Sequence, residues 1–507
     1  MSMINDYSNR QLVPRLLSSE TANVLSLNFN TATKNLGQIN TFELHNYYKL
    51  RTEWKNEKNS IIAIQMLVYE IVYDSLTVNK ELLVYLDTQR SRLNQIEKDI
   101  ISIANHKLLN NAMQIQSDND NDVKTKIKNL KAANISNPFS ALQWCNLGYC
   151  YIKLGLRDKA RKAFLISIGL NNSNRHIVRS VARFFQHIGD IEYGHQILSI
   201  SPRIKHDPNI VSAELAFSEL MGKKSKFIDA GIKLKDDTNI SILEKNELLA
   251  QIATLEFAHG KNSKGRILLN ECLKNPNENS LAQIAFLEKK RFIDPMTITN
   301  SSAIFQFEAL ARQNFSNANF QESYKYAKLW YNFQPFTKFP ATLSTYIAIE
   351  ILGKYQEAID IAEEALEISP DSISLKNNLA FAYAKNGQPD KACNIINSIN
   401  KSGLDNYNKA ILNATTGYIA YKIGDINSAK FGYNEAITYF RLNKDEESLA
   451  RALYNYADIL EENDRITILK EVAELSKKNN LIELEYLLEK RHPEKIIEIK
   501  PSYSKGI

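Results

Sequence analysis

The sequence predicts an all-α fold, a superhelical solenoid of helix hairpins, and three observations predict it. Chain breakers are scarce: 17 Gly and 12 Pro in 507 residues leave long stretches free to form helices. Small residues recur with the period of a helix pair, since Ser323, Ala358, Ala392 and Ala429 step by 35, 34 and 37 residues. The length fits as well, because 507 residues are too many for one ordinary core, whereas each unit of a solenoid packs only on its neighbours. Hydrophobic residues at 44% and charged residues at 24% are ordinary for a folded chain of this kind.

In chain order, residues 1–40 lack periodicity and read as an arm packed on the first helices. Residues 41–115 read as a helical region that forms a divergent repeat. Within it, His45 to Leu76 is a long hairpin, with Trp54 in its first helix and Ile61, Ile64, Leu67, Val68 and Ile71 in its second. Lys80 to Met113 continues as an amphipathic helix carrying Leu82, Leu83, Leu86, Leu93, Ile96, Ile100 and Ile103 on one face. The polar run Gln116 to Asp122 opens a linker that extends to residue 139.

A first repeat block spans 140–279. Its leading unit has Gly148 where the two helices cross, Gly155 at the turn and Ala160 in the second helix. The next unit lies 34 residues on, with Ala182, Gly189 and Gly194, and Phe185 packing between helices. Residues 208–238 read as a hairpin around Gly222, and Ala253, Gly260, Gly265 and Leu269 mark one more. Pro295 and the polar run Thr297 to Ser302 make 280–302 an irregular connection.

A second block spans 303–445. Ala311, Ala318 and Ser323 form a unit ending on Pro335; Tyr346, Gly353, Ala358 and Ala365 form one ending on Pro370. Ala380, Gly387 and Ala392 follow, then Gly417, Gly424 and Ala429. The logic is steric. Helices that cross closely need Gly, Ala or Ser at the contact, a tight turn favours Gly, and Pro ends the second helix. Residues 446–507 read as capping helices, Leu449 to Leu460, Ile466 to Leu475 and Leu481 to Leu488, and a tail from Pro501 to Ile507.

One stretch carries a family resemblance. Trp144-x-x-Leu147-Gly148-x-x-Tyr151, followed by Ala160 and Phe164, resembles the tetratricopeptide repeat. A helical N-terminal region ahead of tandem repeats is similar to bacterial arrays of this family. The resemblance implies a right-handed solenoid of about nine hairpins. It also implies a concave groove lined by the first helix of each hairpin, a protein or peptide partner, and no cofactor. The family's two-carboxylate clamp for chaperone tails is missing: Asn378 matches one clamp Asn, but the flanking units offer Leu343, Ile347, Ile411 and Ala414. Asn9-Arg10-Gln11-Leu12-Val13-Pro14-Arg15 is similar to an N-terminal segment of some bacterial repeat proteins. That likeness implies a partner-bound regulator, as of a nuclease or defence module.

Catalytic signatures are missing. There is no G-x-G-x-x-G and no H-E-x-x-H, and Gly222-Lys223-Lys224-Ser225 follows Phe217 where a P-loop needs Gly. Cys145, Cys150, Cys272 and Cys393 form no C-x-x-C pair and read as reduced thiols. His187 and His195 fall on opposite sides of a turn, so no metal set is assigned. The chain therefore reads as non-catalytic, without metal or cofactor. Met1 to Gln11 lacks a signal pattern and Ile61 to Val72 is too short and polar to span a bilayer, which points to a cytoplasmic protein with no membrane partner.

Charge is localised. Lys124 to Lys205 holds 14 Lys or Arg and three acids, a net of +11 against +6 for the whole chain, whereas Glu350 to Asp371 is −6. Arg175, Arg179, Arg183 and His187 are spaced four apart on one helical face. The resemblance adds Asn146, Tyr149 and Lys153 to the same groove. The set fits either a solvated polar face or an anionic-partner groove for RNA, DNA or an acidic protein segment. Asn377, Asn378, Phe381, Lys385, Tyr418, Tyr421 and Lys422 fit either packing between repeats or a peptide groove, in which Asn amides hold a backbone through paired donors and acceptors. The functional expectation is an interaction scaffold or regulatory subunit, with nucleic-acid binding through 124–205 and peptide sensing as alternatives.

Overall fold

The computed structural model describes residues 10–16, 19, 44–72, 79–93, 97–98, 100–101, 104, 120–240, 242–274, 276–289, 292 and 306–491. Among these residues there are helices and no strands. Gln11–Ala309 forms one compact unit and Leu310–Ile507 belongs to the other.

The first unit begins with α1 (Leu44–Asn56), α2 (Ser60–Val72) and α3 (Lys80–Thr88). They share a core built on Trp54, Ile64, Met66, Leu67, Leu82 and Leu86. Two expectations change here. Ile61 is 63% exposed, outside that core. The helix expected from Lys80 onward stops at Thr88, whose hydroxyl donates to the Tyr85 carbonyl at 2.6 Å, and a 3-10 turn at Arg90–Arg92 follows. Ile71 is described only as backbone, and Ile96, Ile103 and most of the expected helix beyond Ala104 lie outside the described residues.

The stretch 116–139, expected as a linker, contains α4 (Asp120–Ser136), which packs on α5. Gln116 to Asn119 lie outside the described residues. Hairpins then follow: α5 (Ala141–Lys153) with α6 (Arg157–Leu170), α7 (Arg175–His187) with α8 (Ile191–Ser199), α9 (Pro208–Leu220) with α10 (Ile228–Asp236), and α11 (Ile242–Ala258) with α12 (Asn262–Cys272). The first part of the expected irregular connection is instead helix α13 (Glu278–Lys289), packed on α11. Its capping is local: Ser280 Oγ and Asn277 Oδ1 each accept the other residue's main-chain N–H, at 3.0 and 2.9 Å. Pro295 and Thr297 to Ser302 lie outside the described residues.

The second unit holds most of α14 (Phe307–Ser316), then α15 (Phe320–Phe333), α16 (Lys338–Tyr346), α17 (Tyr355–Ile368), α18 (Ile373–Lys385) and α19 (Pro389–Asn397). It closes with α20 (Asn406–Ile423), α21 (Ile426–Leu442), α22 (Glu446–Tyr456), α23 (Glu462–Asn479) and α24 (Ile482–Arg491). Asp405, Asp425 and Asp445 cap α20, α21 and α22 by accepting a backbone N–H three residues on. One feature carries no sequence signal: α16 runs on as a π-helix over Ile347–Leu352. The tail Pro501 to Ile507 lies outside the described residues.

Two kinds of position hold the hairpins. The turns from Gly155 (φ +66°) to Gly424 (φ +92°) are left-handed, a conformation that Gly adopts without the Cβ penalty. Ala318 takes the same conformation at the α14–α15 turn, with φ +58°. At the helix crossings the backbones nearly touch. A Cβ on Gly417 would lie 2.8 Å from the Ala429 carbonyl oxygen, and one on Gly432 would lie 2.7 Å from that of Asn413. Large rings then fill the gaps between hairpins, as where Phe164 meets Phe184 at 4.8 Å and Tyr433 stacks on Tyr456 at 5.3 Å.

Gly417→Val is expected to push α20 off α21 and to cost about 3 kcal/mol, a typical overpacking penalty. Urea unfolding followed by circular dichroism checks it. An unchanged midpoint would mean that this crossing is not tight.

Candidate functional site

Stacking places the first helix of each hairpin beside the first helix of the next, so α5, α7, α9, α11 and α13 lie in succession. Their shared face carries polar groups that sequence spacing singled out only in part. Gln251 on α11 and Asn279 on α13 are fully buried. Such amides need partners, and they find them in residues 11–16.

That segment is extended along the face. Leu12, Pro14 and Leu16 are buried while Gln11, Val13 and Arg15 are half-buried, the period-2 alternation of a strand. Leu12 N–H donates to Gln251 Oε1 at 3.4 Å, and Gln251 Nε2 donates to Gln11 Oε1 at 3.3 Å. Asn279 Nδ2 donates to the Val13 carbonyl at 3.2 Å. Arg15 pairs with Glu308 on α14 at 2.5 Å, with both side chains largely buried. Further on, Ser19 N–H donates to Asn146 Oδ1 at 2.8 Å and Asn146 Nδ2 donates back to Ser19 Oγ at 2.7 Å. The arm expected over 1–40 on the first helices of the chain is described only at 10–16 and 19, and there its hydrogen bonds go to α11, α13, α14 and α5; the rest, Asn9 included, lies outside the described residues.

The expected anionic-partner set falls on the same face, with acids beside it. Arg175 pairs with Asp207 at 2.6 Å, and Arg179 with Glu247 at 2.6 Å. Arg183 is buried and donates to Gln186. Burial, reinforced by Arg15 and opposed by Glu308, pushes Arg183 down to about 10. His187 is buried, and Lys153 lies 6.0 Å from the Tyr149 ring centre. Asn146 holds Ser19, as above. The acids come from residues 32 and 68 positions along the chain, a distance at which sequence periodicity gives no pairing.

In the second unit Asn377, Asn378, Phe381 and Tyr418 of the expected peptide groove are buried. Asn377 and Asn378 are at most 1% exposed. Thr415 donates to Asn377 Oδ1 at 2.7 Å, and Asn378 donates to Thr345 Oγ1 at 2.8 Å, so their amides link α16, α18 and α20. Phe381 and Tyr418 pack with ring centres 4.8 Å apart, and Lys385 lies 4.4 Å above Tyr418. Tyr421 is half-buried and Lys422 exposed. The π-helix turns Glu350 inward to accept from Asn455 at 3.1 Å.

Among the described residues no group of His, Cys, Asp or Glu could hold a metal ion, and no helix is long and apolar enough to cross a membrane. Burial pushes the thiols of Cys145 and Cys272 up to about 12, far from the depressed range of a nucleophilic cysteine.

Stacked hairpins with a polar face along their first helices define a helical-repeat protein. The chain carries tetratricopeptide repeats: family models described as Tetratricopeptide repeat match residues 144–174, which span most of α5 and all of α6, and residues 351–411. No curated protein matches the sequence. Similar solved structures include a tetratricopeptide repeat protein from Parabacteroides merdae, 12% identical, covering 62% of this chain and 99% of its own (TM-score 0.25). Yeast Tom70 is 14% identical over 76% of this chain and 97% of its own (0.27). The Cut9–Hcn1 hetero-tetramer of APC/C gives 12% identity over 95% and 98% (0.35). All three scores are low, so the family rests on the matched repeats and on the hairpins themselves.

Glu278, at the start of α13, sits in this charged cluster, and burial raises its carboxyl to about 6 despite the nearby Arg15. Because the folded value is raised, protonation favours the fold. The contribution is fully present below about 4.5 and is lost as pH rises through about 6. Glu278→Gln is therefore expected to raise stability at pH 7 by about 2 kcal/mol and to gain nothing at pH 4. Thermal melts at both pH values check this, and an equal effect at the two would contradict it.

Proposed function

We propose that this protein is a non-catalytic interaction scaffold whose first repeat block binds an extended polypeptide segment along the first helices of its hairpins. The observation that carries the reading is the seating of residues 11–16, held through main-chain groups by the side chains of Gln251 and Asn279. Side-chain amides that grip a peptide backbone accept many sequences, because every residue offers the same donor and acceptor. Buried thiols at Cys145, Cys150 and Cys272, none of them in a disulfide, support a reducing, cytoplasmic setting.

The alternative of a phosphate-binding groove has less support. Arg175 and Arg179 already pair with Asp207 and Glu247, and phosphates would have to displace both acids. Exposed cations of the basic block, Lys124, Lys128, Lys159, Arg161 and Lys162, leave a weaker, non-specific contact with nucleic acid open on α4 and α6.

Affinity capture from the native host with the wild type and with Gln251→Ala/Asn279→Ala tests the scaffold reading. Loss of two backbone hydrogen bonds, each worth about 1 kcal/mol, is expected to cut recovery of a stoichiometric protein partner by at least fivefold. Equal recovery by both chains, or recovery of nucleic acid alone, would overturn it.

A further inference from the structure

Residues 11–16 do more than show that the groove accepts a backbone; their side chains describe what it selects. We infer that this segment is an intramolecular stand-in for the ligand, and that the groove takes a partner segment with two apolar side chains four residues apart and an arginine just before the second. This inference rests on the scaffold reading and specifies its ligand.

Three features of the seat lead to it. Leu12 and Leu16 are both 0% exposed, so each removes its whole apolar side chain from water, and a polar residue at either place would lose that hold. Alternation puts Pro14 on the same side, and a fixed φ suits a segment that is bound extended. The arginine follows from charge. With Arg15 in place, Arg15, Arg179 and Arg183 face Glu247, Glu278 and Glu308. Without it, Glu308 gives up a largely buried ion pair of 2.5 Å. Removing one member of a buried ion pair is costly, so an occupant that brings no cation binds against that cost. A planar guanidinium, less strongly hydrated than an ammonium, suits the site better than lysine.

The seat also permits exchange. Residues 11–16 form no helix, and side chains of Gln251, Asn279 and Glu308 hydrogen-bond to them. A tethered occupant competes at a high effective concentration, which sets a threshold that an incoming segment must exceed. The apparent affinity for a partner then falls by the fraction of groove that is free.

The probe is a fluorescent synthetic peptide of residues 9–19, titrated against the full chain and against the full chain carrying Leu12→Asp and Leu16→Asp. The variant, freed of its own segment, is expected to bind the peptide at least tenfold more tightly than wild type. The same peptide carrying Arg15→Glu is expected to bind it at least tenfold more weakly. Hydrogen exchange on the unmodified wild type provides a second arm that needs no folded variant: saturating peptide should strip protection from residues 11–16 and leave α11 and α13 protected. A folded variant that ignores the peptide would overturn the inference. So would segment amides that stay as protected as the repeats at every peptide concentration. If either occurs while Gln251→Ala/Asn279→Ala still abolishes partner capture, the scaffold reading survives and the stand-in does not.

Discussion

Two α-helices can pack with their backbones almost touching only where both surrender their side chains at the crossing. In α20 and α21 this surrender is complete: a Cβ on Gly432 would lie 3.0 Å from the Cα of Gly417. Gly148 under Phe164, Gly194 under Phe217 and Gly265 under Phe257 repeat the device with an aromatic ring as the lid. Narrow hairpins then stack at a separation that rings such as Phe164 and Phe184 can bridge. The same separation brings the first helices near enough for one side chain to reach the next helix, as Thr415 reaches Asn377 and Arg175 reaches Asp207. The polar inner faces of both units depend on this.

The two units put that face to different uses. In the second, Asn377, Asn378, Thr345 and Thr415 satisfy one another across α16, α18 and α20, and buried polar networks of this kind fix the register between helices. In the first, the amides of Gln251 and Asn279 point at a polypeptide segment instead. The same residue type thus serves as a tie between helices in one block and as a backbone reader in the other.

Much of the fold was legible because its determinants are local. A turn that must be left-handed asks for Gly, and Gly155, Gly189, Gly260, Gly353, Gly387 and Gly424 could be placed from spacing before φ was known. Local rules failed where tertiary packing decided the outcome. The π-helix at Ile347–Leu352 has no motif, and the polar appearance of 116–139 concealed α4, whose packing on α5 supplies what its own amphipathicity does not. The site was less legible. Periodicity put Arg175, Arg179 and Arg183 on one helix face, but the pairing of Arg175 and Arg179 with Asp207 and Glu247 belongs to other repeats. A usable signal did exist for Gln251, an amide beside Leu248, Leu249 and Ile252 on a first helix, but not for Asn279, which sits in the polar run Asn277 to Ser280. The segment 9–15 stood out as well, though nothing in it named the helices it meets.

The account stands on residues 11–16 occupying the first block in solution, and the Arg15–Glu308 pair reports on that directly. A double-mutant cycle with Arg15→Ala, Glu308→Ala and the double variant, read by equilibrium unfolding, measures their coupling. For a largely buried pair at 2.5 Å the expected coupling is about 2 kcal/mol. Strictly additive effects would mean that Arg15 does not meet Glu308 and that the groove is not filled by the chain's own segment.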